Sequence, residues 1–108
     1  MESEFLTPTV SYTARLSDRD HYNSQGERLQ SAAEIIRQDR ANYHVYGLRD
    51  SEDEPDSYFS NISNRARLEE LLENGRTTPE AIDRIINGTP LVRVDIYEAA
   101  VIVTIISD

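Results

Sequence analysis

The sequence predicts a small α+β domain of order β-α-α-α-β-β, and three observations carry that reading. The run Val101-Ile102-Val103-Thr104-Ile105-Ile106 holds five β-branched aliphatics and one threonine, the composition of a strand that is apolar on both faces. Residues 10–16 and 91–97 alternate apolar and polar side chains, the pattern of strands with one buried face. Between them, apolar residues recur at helical spacing in three segments.

The elements follow in order. Residues 1–7 read as a disordered tail, leaving residues 8–108 as a single domain. Val10, Tyr12, Ala14 and Leu16 form the apolar face of the first strand. A polar loop, residues 18–26, leads to Ser24-x-x-Glu27, a capping-box signature that starts a helix near Gly26 or Glu27. Leu29, Ala32, Ala33, Ile36, Ala41 and Tyr43 line one face of that helix, Arg37 and Arg40 suit its C-terminal half, and Gly47 ends it in the left-handed conformation.

A second helix spans about residues 62–74, with Ala66, Leu68, Leu71 and Leu72 inward and Gly75 as its stop. In the third helix Thr78 is the cap, Pro79 occupies the first turn, and Ile82, Ile85 and Ile86 face in. The last two strands then form an antiparallel hairpin. Because the final strand is apolar on both faces, the expected sheet is three-stranded and mostly antiparallel, with the C-terminal strand central and the helices on one face. Such a strand left open invites pairing with another chain, so a homodimer through the sheet is a further expectation.

Composition narrows the function. Of 108 residues, 38% are hydrophobic, a lean core, and no cysteine is present to staple it. A net charge of −9 repels a phosphate backbone, so no direct nucleic-acid binding is expected. All 11 basic residues are arginine. Without lysine there is no Walker A loop and no Schiff base; without cysteine there is no thiol nucleophile or iron–sulfur cluster. No cofactor and no metal site is expected. No run approaches the ~18 apolar residues of a membrane span, and the start of the sequence lacks a signal-peptide core, so the compartment stays open.

Two constellations survive. One is Asp18-Arg19-Asp20-His21-Tyr22-Asn23: were the protein an enzyme, His21 beside Asp20, with Arg19 and the second histidine, His44, would supply base, acid and cation for phosphodiester cleavage. The triplet Asp20-His21-Tyr22 resembles the Asp-His-Tyr segment of the small microbial ribonucleases. That segment lies near the C-terminus there and near the N-terminus here, and no catalytic role is carried over.

The other constellation is the acidic loop, with Asp50, Glu52, Asp53, Glu54 and Asp56 followed by Tyr58 and Phe59. Its alternate carboxylates are spaced like calcium ligands, but Pro55 and Asn61 stand where an EF-hand needs Gly and Glu. The loop is therefore read as the contact surface for a protein partner, a basic one on charge. Replacing Asp53, Glu54 and Asp56 by Arg is expected to spare the fold and lose the partner.

The leading expectation is an acidic, non-catalytic interaction domain, bacterial or phage-derived. The alternatives are a histidine-dependent ribonuclease-like enzyme, and an acidic inhibitor whose helix carboxylates mimic nucleic acid.

Overall fold

A computed structural model describes residues 7–108, so most of the expected N-terminal tail lies outside the described residues. The elements are β1 (Val10–Arg15), a 3₁₀ turn (Asp18–His21), α1 (Ala32–Ala41) running into a π turn (Asn42–Tyr46), α2 (Ile62–Ala66), α3 (Leu68–Gly75), α4 (Pro79–Asn87), β2 (Leu91–Ile96) and β3 (Val101–Ser107). The expected class is what forms: a three-stranded antiparallel sheet with helices against it. Among the described residues no helix is long and apolar enough to cross a membrane.

The strand order is β1-β2-β3, so β2 is central and the C-terminal strand is an edge. This corrects the expectation that the final strand lies between its neighbours. β2 pairs with β1 from Val10↔Ile96 to Arg15↔Leu91 and with β3 from Ile96↔Val101 to Leu91↔Ser107, with a bulge in β3 opposite Leu91 and Val92. No strand covers the second apolar face of β3: the end of α3 half-buries Ile102, and Thr104 and Ile106 stay exposed. A Cβ on Gly75 would lie 1.9 Å from Val101 O and 3.0 Å from Ile102 Cγ1.

That contact also corrects the role of Gly75. It is the last residue of α3, and the left-handed cap is Arg76 at φ 59°. Glycine is required at position 75 because helix backbone meets strand backbone there. Gly47, at φ 68°, is the left-handed stop that its position after the first helix predicts.

The first helix begins later than its capping-box signature suggests. Asn23 Oδ1 accepts from the amides of Gln25 and Glu27, Gly26 turns left-handed at φ 80°, and Tyr22 bridges Arg28. This Asx turn uses the amides a helix would need, so α1 waits for Ser31, whose Oγ accepts from the Glu34 amide at 3.1 Å. The second expected helix is broken at Arg67 (φ −91°, ψ 3°) into α2 and α3, and the break turns Ala66, expected inward, out to solvent while Arg65 is buried. Thr78 caps α4, with Pro79 in the first turn. Tyr12, Ala14, Val92, Val94, Ile96, Val101 and Val103 from the sheet meet Ile35, Ile36, Leu68, Leu71 and Ile85 from the helices, with Phe59 closing the core.

Candidate functional site

Arg40, in the last turn of α1, is fully buried and is the hub of the polar structure. Its Nε donates to Asp39 Oδ2 at 2.9 Å, and its Nη1 donates to Asp56 Oδ1 at 2.8 Å and to Glu54 O at 3.0 Å. The guanidinium carbon lies 4.0 Å from the Tyr12 ring centroid and 4.5 Å from that of Tyr43. Arginine suits this place because its planar cation can stack between rings while its edge serves carboxylates. One side chain thereby ties α1 to β1 and to the acidic loop.

The loop carboxylates turn inward to the free edge of β1. Glu54 Oε1 accepts from the Thr13 amide at 2.8 Å, Asp53 Oδ1 accepts from the Arg15 amide at 2.9 Å, and the Glu54 amide donates to Thr13 O at 2.8 Å. Asp53 Oδ2 accepts from the Asp50 amide at 2.8 Å, and Glu52 pairs with Arg15 at 2.8 Å. Asp56 Oδ2 accepts from the Phe59 amide at 2.5 Å, while His44 Nε2 lies 2.9 Å from Asp56 Oδ1. Asp50 meets Arg19 at 3.4 Å.

The sequence-selected residues are thus scattered in exposure. Glu52 and Glu54 are exposed, Asp50, Asp53 and Tyr58 are half-buried, and Asp56 and Phe59 are buried. Replacing Asp53, Glu54 and Asp56 together by Arg is now expected to unfold the protein, because it takes the acceptors from β1 and leaves Arg40 facing a like charge. That corrects the expectation of a fold-neutral variant.

Asp20 is buried as well. Its Oδ2 accepts from Ser17 N at 3.0 Å and its Oδ1 from Asn42 Nδ2 at 2.8 Å. His21 turns toward α4: Nδ1 lies 2.8 Å from Ser17 O and Nε2 lies 2.9 Å from Ile85 O. Both of its ring nitrogens face backbone carbonyls, and it shares no hydrogen-bond partner with His44. Arg19 remains exposed.

Burial shapes the acidity of the cluster. It pushes the Tyr12 phenol well above its ordinary value, against the pull of Arg40. It pushes the Asp39 carboxyl well up too, and the 2.9 Å contact with Arg40 does not offset it. Asp53 is raised by burial despite the amides of Asp50 and Arg15, whereas the hydrogen bond from Arg15 holds exposed Glu52 below its usual range. Among the described residues no group of three or more His, Cys, Asp or Glu is placed to hold a metal ion. The cluster is a clamp of paired charges, each carboxylate facing a donor.

The chain leaves this clamp through Val45-Tyr46-Gly47-Leu48. Val45, Tyr46 and Leu48 are 57%, 59% and 47% exposed. They are held from behind: the Leu48 amide donates to Asn42 O at 2.8 Å, Arg49 Nε donates to Tyr43 O at 3.2 Å, and Arg49 stacks on Tyr43 at 4.1 Å. Sequence reasoning passed over this turn. Its signal was present: three large apolar residues bracket a left-handed glycine where a helix ends.

Comparison with protein-family models, with curated proteins and with solved structures gave no match to this chain.

Proposed function

We propose that this protein is a non-catalytic interaction domain that binds a basic protein partner through Val45, Tyr46 and Leu48. The observation that carries the reading is the exposed apolar turn. Three large side chains within four residues stand in solvent, Val45 and Tyr46 at the end of the π turn and Leu48 just past its Gly47 cap, while the start of the turn is fixed by the stacking of Arg40 on Tyr43. A rigid aromatic and aliphatic knob loses little entropy on binding, and such residues anchor interfaces. The net charge of −9 favours a basic partner and speeds its approach.

The test is affinity capture from the source cell with the intact chain and with Tyr46→Ser/Leu48→Ser. Both residues are exposed, so the double variant keeps its circular dichroism spectrum. Its recovery of the specific partner falls at least about tenfold, matching the loss of one or two interface anchors. Equal recovery by the two proteins removes this reading.

A further inference from the structure

The edge of β3 carries a second surface. Val103 N donates to Thr77 Oγ1 at 3.0 Å, so the Val103 amide points away from β2. Alternation along an antiparallel strand puts the N–H and C=O of Ile105 on that same outer side. Beside them a groove of about 340 Å³ runs between residues 102–105 and the start of α4, with Arg76, Thr77, Ala81 and Arg84 on the far wall.

Strand edges that face solvent are ordinarily guarded by charge, proline or a covering segment. From Val101 to Ser107 there is neither charge nor proline, and Ile106 is 50% exposed. The groove also offers an uncommitted cation on an acidic protein: Arg76 and Arg84 line it together with Glu80. Arg84 reaches Asp108, while Arg76, exposed in its left-handed cap, forms no ion pair among the described residues.

We propose that this groove takes an extended acidic peptide segment of a partner protein, added along β3 as a fourth strand. The segment exchanges hydrogen bonds with Val103 O and Ile105 N, and an acidic side chain meets Arg76. Thr77 already imitates the first of these bonds, holding the Val103 amide as a strand carbonyl would. The surface is separate from the Val45–Tyr46–Leu48 knob, so each proposal stands or fails alone.

The probe is a capped six-residue peptide of alternating valine and glutamate, titrated into the ¹⁵N-labelled full chain. Its valine–lysine counterpart is the control. Amides of Thr77, Thr78, Glu80, Ala81 and residues 103–107 shift, and the glutamate peptide binds about fivefold tighter, the scale of one exposed charge pair. Arg76→Asn, which tolerates the left-handed cap, abolishes that preference. Thr77→Val frees the Val103 amide and tightens the glutamate peptide about threefold. Four results overturn the proposal: equal affinity for both peptides, a preference that survives Arg76→Asn, no tightening in Thr77→Val, or shifts elsewhere or none at millimolar peptide. Concentration-dependent shifts of the same amides without peptide also overturn it, because they assign the edge to a second copy of the chain.

Discussion

Along β1, the acidic loop hydrogen-bonds the outer backbone three times, through Glu54 Oε1, Asp53 Oδ1 and the Glu54 amide. Along β3, one side-chain hydroxyl, Thr77 Oγ1, does so among the described residues. The two edges belong to one sheet, yet one is finished with charge-assisted bonds and the other is left open over its second half. Carboxylates can stand in for a neighbouring strand because each offers two acceptor oxygens to amides that would otherwise pair with another chain. Two carboxylates of the loop that reads as a docking surface, Asp53 and Glu54, therefore serve to close an edge.

If Arg40 is what holds that closure, Arg40→Ala breaks it most severely. It leaves Asp39 and Asp56 buried without their cation, a loss of about 3–5 kcal/mol. Urea unfolding would show this, and a loss under about 1 kcal/mol would mean the loop is held without the clamp. At the other edge, Gly75→Ala pushes a Cβ against Val101 O and costs about 3 kcal/mol. A crystal structure of that variant with α3 still seated on β3 and unchanged melting would deny the close approach.

Asp53→Ala sharpens the contrast. It strands the amides of Arg15 and Asp50 at a cost of about 2 kcal/mol. Hydrogen exchange should speed at Arg15 while Ile105, expected to exchange fast in both proteins, stays as it was. Equal protection of Arg15 and Ile105 in the parent would erase the difference between the edges.

The smallest expected effect is in pH. Asp39 has its folded value raised by burial, so its contribution to stability is full below the unfolded carboxylate value and is lost as pH rises through the folded value. The parent protein should gain stability relative to Asp39→Asn as the solution is acidified from neutrality. A constant gap between the two proteins across that window would show that Asp39 is not shifted.

The fold class, Thr78 and Pro79 at the start of α4, Gly47 at φ 68° and the apolar faces of β1 and β2 were legible because each depends on neighbours within a turn or two. The apolar turn at residues 45–48 was legible in the same way and was passed over. Local reading failed where two local signals competed, as when the Asx turn of Asn23 displaced the Ser24 capping box. It failed again where a residue type had two meanings, as when Gly75 proved to be a contact and not a stop.

Sequence by itself determined that three strands and several helices would form and that their apolar stripes would meet, because periodicity and capping act through the nearest turns of chain. Only the tertiary structure decided which strand lies in the middle and which charges go inside. Those outcomes rest on contacts between distant positions, Thr13 with Glu54, Arg15 with Asp53, Arg40 with Asp56 and Gly75 with Val101. Such contacts exist only once the chain has closed its loops, so no window of sequence contains them.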